Sequence, residues 1–184
     1  MNALNVLGID LGASSGRAML GTLEGKKLTI REIHRFLNEP VTLCGRFVWD
    51  MPRLFHEIKQ ALLKLSRSGE TVDAIGIDTW GVDFGLLDKN GHLLSLPVHY
   101  RDARTNGIPE KVRAIIPDEE LFARTGIAFN SFNTLYQLYA MKEEGDPALE
   151  SAQDLLFLPD LLAYFLTGKK GTEYTIASTS QLLN

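Results

Sequence analysis

The sequence predicts an α/β fold on three observations. Short apolar runs end twice in an aspartate followed by a turn, at Val6–Asp10 and Val72–Asp78. An amphipathic helix is written between them, and the later chain alternates helix signals with glycine stops.

The first run opens the stretch VLGIDLGASSGRAML, residues 6–20. Val6–Ile9 reads as a strand ending at Asp10, Gly12, Ala13, Ser14, Ser15 and Gly16 as a turn, and the apolar run opened by Arg17 as a return strand. That is a hairpin with a glycine-rich tip. Glycine tolerates positive φ and lacks a Cβ, so another group can approach its N–H donor. Successive amides of this kind form an anion nest that suits phosphate. A carboxylate at Asp10 would repel a bare phosphate but could hold Mg2+, usually through water, so the pairing points to a metal-nucleotide. The segment is not a Walker loop, because position 17 is Arg rather than Lys, and not a dinucleotide fingerprint, because a strand follows the glycines. Glycines and serines are also ordinary turn residues, which leaves a plain tight turn open.

Further along, Lys27–Phe36 alternates as a third strand, with His34 on one of its faces. Asp50 caps a helix over residues 51–66, with Pro52 in its first turn and Leu54, Ile58, Ala61, Leu62 and Leu65 as its apolar stripe. The second informative stretch is Asp78-Thr79-Trp80-Gly81, at the end of the strand 72–77. Ligands of open α/β sheets gather at such carboxyl ends. Trp80 could stack on a sugar face and Gly81 could let backbone donors reach a hydroxyl, while a bulge with a core Trp is the plain alternative. Asn90-Gly91 predicts a hairpin pairing Val82–Leu87 with His92–Val98. Tyr100-Arg101-Asp102-Ala103-Arg104 is either a set of surface ion pairs or a guanidinium aimed at sugar hydroxyls. Helices are expected over 109–116, 118–125, 133–144 and 160–167, the last three stopping at Gly126, Gly145 and Gly168.

Composition excludes several classes. A net charge of -4 gives no electrostatic footprint for nucleic acid. Cys44 is the only cysteine, so no intrachain disulfide can form. No stretch of about 18 uncharged apolar residues occurs, and the N-terminus has no basic n-region, so the expectation is a cytoplasmic protein without membrane partners.

As a whole the sequence resembles the N-terminal part of the FGGY carbohydrate kinases, in the actin-like ATPase superfamily. The resemblance rests on GIDLGASSGR (8–17), REIHRF (31–36), IDTWGVDF (77–84), YRDARTNG (100–107), FNTLYQL (132–138) and EYTIASTSQLLN (173–184). ASSGR, DTWGVDF and the closing Thr/Ser-rich segment point to its rhamnulose-specific branch. The resemblance implies a ribonuclease-H-like mixed sheet flanked by helices, one N-terminal kinase domain over 1–184, and ATP and Mg2+ as cofactors. It implies ATP phosphate contacts from Gly12, Ala13, Ser14, Ser15, Gly16 and Arg17, and a metal contact from Asp10. It also implies a ketose contact from Gly81, with Trp80, Asp83 and Arg101 as neighbours of the sugar. Such kinases are more than twice as long, and the Asp that deprotonates the sugar hydroxyl lies in a His-Asp pair, a dipeptide absent here. The expectation is therefore a fragment without its catalytic Asp or its second, nucleotide-binding domain, inactive alone. The rivals are a kinase for fuculose, xylulose or ribulose, and a non-catalytic sugar- or nucleotide-binding module.

Overall fold

The computed structural model of the chain describes residues 3–184. Its strands are Leu4–Leu11 (β1), Ser15–Glu24 (β2), Lys27–Leu37 (β3), Val41–Leu43 (β4), Arg46–Val48 (β5), Ala74–Asp78 (β6), Phe84–Leu87 (β7) and Asp154–Phe157 (β8). Its helices are Met51–Ser68 (α1), Ile108–Arg113 (α2), Asp118–Thr125 (α3), Thr134–Glu144 (α4), Pro147–Ser151 (α5), Leu158–Thr167 (α6) and Tyr174–Ser178 (α7). The chain divides into two compact units, Met1–Glu39 with Asp50–Trp80, and Pro40–Trp49 with Gly81–Asn184.

The first unit holds a mixed sheet in the order β3-β2-β1-β6. β1 and β2 are the expected antiparallel hairpin, and β6 pairs parallel with β1, so that Asp10 stands opposite Asp78. Along β1 the buried Leu7, Ile9 and Leu11 alternate with the exposed Val6 and Asp10, the period of two that puts one face of a strand inward. Helix α1 begins where the sequence places it, the Asp50 carboxylate accepting from the Arg53 N–H at 3.0 Å, and stops at Gly69 in the left-handed conformation. Leu54, Ile58, Ala61 and Leu65 form its buried stripe, each of the larger three contributing roughly 1.5–3 kcal/mol.

A polar chain ties α1 to β3. The Glu57 carboxylate receives Arg53 Nε at 2.6 Å and His34 Nε2 at 2.6 Å, while Lys64 Nζ lies 2.7 Å from His34 Nδ1. An ammonium group only donates, so Nδ1 accepts and Nε2 carries the proton given to Glu57. Burial pushes the Glu57 carboxyl up, but the hydrogen bonds from His34 and Arg53 outweigh it and leave the pKa lowered.

The second unit holds the β4-β5 hairpin, the antiparallel β7-β8 pair and helices α2 to α7. Here one expectation fails. The Asn90-Gly91 turn does form, with Gly91 at φ 81 and its N–H bonded to Asp88 O at 2.9 Å, yet the segment after it meets β7 only at the single bridge Leu87↔Leu93. The ladder partner of β7 is β8 instead, from Phe84↔Phe157 to Leu87↔Asp154. All four residues of β7 are buried, and the apolar DLLF segment serves that environment, whereas residues 92–98 carry Pro97, which has no N–H to donate.

Phe84, Leu86, Met141, Phe157 and Ala177 form one apolar cluster of this unit, and Ile108, Val112, Tyr136 and Ala140 another. Leu135, Leu138 and Tyr139 pack against these clusters, as core residues should. Among the described residues no helix is long and apolar enough to cross a membrane.

Candidate functional site

Two groups of candidate residues stand apart, one in each unit. In the first, the β1–β2 turn is held from below through its carbonyls. The Asn38 N–H donates to Ser14 O at 3.0 Å and its side-chain amide to Gly12 O at 2.9 Å. The Gly12 N–H closes the turn on Ser15 O at 2.9 Å. Ala13 and Ser14 are exposed, and among the described residues their amides and the hydroxyls of Ser14 and Ser15 make no hydrogen bond within the chain. With the carbonyls tied down, donors are what the tip offers to solvent, as an anion requires.

Two details differ from the sequence reading. Neither Gly12 nor Gly16 has a positive φ, so the tip is not a nest of alternating handedness. Its glycines are required for space: a Cβ at Gly12 would lie 3.1 Å from Ser15 O, and one at Gly16 would run into the Phe36 ring. Gly16 and Arg17 already belong to the ladder, opposite Leu11 and Asp10, which leaves Ala13 and Ser14 as the open part of the expected phosphate contact.

Arg17 Nε lies 3.1 Å from an oxygen of Asp10, both side chains about half exposed. The expected phosphate-binding cation and the expected metal ligand thus hold each other here. Register puts Asp10 and Asp78, from neighbouring parallel strands, on one face of the sheet at its carboxyl end. Among the described residues no group of three or more His, Cys, Asp or Glu side chains could cage a metal. One or two carboxylates fit Mg2+ that keeps its waters and arrives with a nucleotide. Trp80, which closes this unit, is half-buried, and its carbonyl accepts from the Thr79 hydroxyl at 2.8 Å.

In the second unit the chain turns sharply from Gly81 to Asp83. The Asp83 N–H donates to Gly81 O at 2.9 Å, and Val82 between them has φ 68. An i→i+2 bond around a residue at that φ is the rare, strained form of the γ-turn. A β-branched residue there costs on the order of 1–3 kcal/mol and persists only where its surroundings enforce it. Three side chains do so. The Thr134 hydroxyl donates to Val82 O at 2.7 Å, the Val82 N–H donates to the Thr179 hydroxyl at 3.2 Å, and Gln137 Nε2 donates to Asp83 Oδ1 at 2.9 Å. Thr134 and Gln137 are fully buried.

Asp83 corrects the sequence reading. It is 1% exposed, with Oδ2 accepting from Trp49 Nε1 at 2.7 Å and the Tyr100 N–H at 3.1 Å in addition to Gln137 on Oδ1. A carboxylate enclosed in this way orients its donors rather than meeting a solute as a neighbour of the sugar. The Arg104 guanidinium, which donates to Gln137 Oε1, is pushed down by burial and lifted by Asp83 and Asp102.

Arg101 remains available at the surface, its guanidinium 5.4 Å from the centre of the Tyr100 ring. Behind it, His99 is stacked between Phe47 and Trp49, with ring centres 4.4 and 4.0 Å away. Its Nδ1 accepts from the Arg101 N–H at 2.9 Å. Burial first, and the charge of Arg101 second, lower its pKa to about 4, so the ring is neutral at pH 7. Sequence reasoning missed Trp49, His99, Thr134, Gln137 and Thr179; FNTLYQL marked the helix that carries two of them but not their task.

A mixed sheet flanked by helices, with two acidic strand ends and an open donor turn beside one of them, defines the class as an α/β protein. Residues 5–184 match the FGGY family of carbohydrate kinases, N-terminal domain, and the chain belongs to that family. It is 48% identical over 186 residues to a rhamnulokinase of Mannheimia succiniciproducens, a match that covers 100% of this chain and 39% of that one. A Bacteroides thetaiotaomicron rhamnulokinase is 47% identical, over 98% of this chain and 37% of its own. The chain thus spans about two fifths of the length of these curated relatives. Among solved structures, gluconate kinase from Lactobacillus acidophilus superposes with a TM-score of 0.86 at 18% identity, over 100% of this chain and 37% of that one. Xylulose kinase from the same organism gives 0.84 at 19%, over 98% and 36%. At those identities the likeness establishes the fold.

Proposed function

We propose that this chain supplies the phosphate-facing turn and part of the sugar-recognition surface of an ATP-dependent kinase that transfers a phosphoryl group to the 1-hydroxyl of L-rhamnulose. The observation that carries the reading is the turn at Ala13-Ser14, open in its donors and bound through its carbonyls, at the end of the strand whose Asp10 stands opposite Asp78. The rhamnulokinase relatives, at 46–48% identity over nearly the whole chain, favour rhamnulose over other ketoses.

Phosphoryl transfer is catalysed mainly by positioning and by neutralising charge. In this reading the amides of Ala13 and Ser14 and the hydroxyls of Ser14 and Ser15 hold phosphate oxygens, and Arg17 turns from Asp10 to the same oxygens. That releases Asp10, with Asp78 beside it, to hold Mg2+ through water. When bound, the metal offsets the charge of the transferring group. Gly81 and Arg101 hold sugar hydroxyls. Removal of the hydroxyl proton is assigned to a carboxylate outside residues 1–184, in the remainder of the kinase chain, so the 184 residues alone should show no turnover.

The test is a chimera in which residues 1–184 replace the matching part of the Mannheimia succiniciproducens relative. ATP-dependent phosphorylation of L-rhamnulose, in preference to L-fuculose, D-xylulose and L-ribulose, is expected. A folded chimera that phosphorylates another ketose better, or none, overturns the reading.

A further inference from the structure

We propose that Thr134 and Gln137 are positioning residues for ketose recognition, acting through the strained turn at Gly81–Asp83 rather than by touching the sugar. This rests on the reading that Gly81 contacts the substrate.

Val82 at φ 68 is a conformation that a valine leaves unless held. Relaxing it to negative φ would swing Gly81 relative to Asp83, and the direction of the Gly81 N–H would change with it. Among the described residues that N–H has no partner, while the Gly81 carbonyl is already taken by the Asp83 N–H. The strained form is therefore the one in which the Gly81 carbonyl is engaged by the turn while its N–H keeps its donor.

Its restraints are long-range. Thr134 is the first residue of α4, and its hydroxyl reaches Val82 O at 2.7 Å. One turn later Gln137 Nε2 donates to Asp83 Oδ1 at 2.9 Å and to Phe132 O at 2.9 Å, while its Oε1 accepts from Arg104, so the amide is held at its nitrogen and at its oxygen. Threonine alone places a hydroxyl there on a β-branched stem, and valine matches its shape without the donor. Close packing also defends the site, since a Cβ at Gly81 would lie 3.1 Å from Thr179 Oγ1.

The chimera described above provides the test, with Thr134→Val and Thr134→Ser compared to the parent. Thr134→Val should raise KM for the ketose about tenfold, leaving kcat and KM for ATP within about twofold, and Thr134→Ser should restore the parental KM. Loss of melting temperature with KM unchanged, or an equal fall across both substrates, would make Thr134 merely structural and overturn the proposal. A parent chimera inert on every ketose overturns the kinase reading instead. The clamp is then judged on the 184-residue chain by NMR: Thr134→Val should move the Val82 coupling constants to those of negative φ, and an unchanged Val82 would refute it.

Discussion

After Asp10 the chain turns through Ala13 and Ser14, both exposed, without positive φ, and bound by Asn38 through carbonyls alone. After Asp78 it turns through a buried Val82 at φ 68, and the next carboxylate is enclosed by three donors. The same written plan, an apolar run, an aspartate and then a glycine-bearing turn, has produced one loop with open donors and one whose polar groups are already engaged. An anion supplies its own charge to order a loop, so the first needs only open donors. A neutral sugar brings no such force, and discrimination among ketoses depends on donors fixed before it arrives. Substitutions at the second turn should therefore act on the fold and through it on ketose KM, and those in the first mainly on nucleotide affinity.

The largest effect is expected at Asp83. Asp83→Ala strips an acceptor from Trp49 Nε1, the Tyr100 N–H and Gln137, and removes a negative neighbour of the buried Arg104. Breaking such a buried charged cluster costs about 3–5 kcal/mol, readable as a lowered urea midpoint for the 184-residue chain. A loss under about 1 kcal/mol would show that the second turn is no more prebuilt than the first.

Acid should reach the same region next. The His99 pKa falls from 6.5 unfolded to about 4 folded, so between those values the unfolded chain binds the extra proton. Stability is therefore fully present above about pH 6.5 and lost as pH falls towards 4. The loss expected is about 3 kcal/mol, measured as denaturation midpoints across that range. His99→Phe, which keeps a ring between Phe47 and Trp49, should flatten that part of the profile; an equally steep profile in the variant would assign the effect elsewhere.

What the sequence made legible divides along the same line. The β1–β2 hairpin, the cap and stripe of α1 and the Asp10 tip are written in neighbouring residues, as periods and capping signals. The clamp on Val82 is not, because its hydrogen bonds span separations of 52 and 97 residues, and Thr134 in FNTLYQL reads locally as an ordinary helix start. Asp83 is placed beside the sugar by the resemblance alone, and burial with its three donors is what shows the carboxylate engaged within the fold. Gly16 suggested a special backbone angle, whereas the Phe36 ring is what forbids a side chain there. Asn90-Gly91 marked a real turn, but burial rather than the turn chose β8 as the partner of β7.

The smallest effect on stability, and the sharpest test of the contrast, lies at Arg17. Its pair with Asp10 is about half exposed on both sides, and such pairs contribute about 0–1 kcal/mol. Arg17→Ala should therefore shift the urea midpoint almost imperceptibly. If the guanidinium exchanges Asp10 for a phosphate oxygen, the same change removes a charge-assisted hydrogen bond to nucleotide, and the affinity for ATP with Mg2+ should fall about tenfold or more by calorimetry. Arg17→Lys should recover part of it, since a point charge keeps the attraction without the planar fork. An Arg17→Ala chain that unfolds more easily yet binds nucleotide unchanged would make the ion pair a strut, and the first turn would then belong with the second.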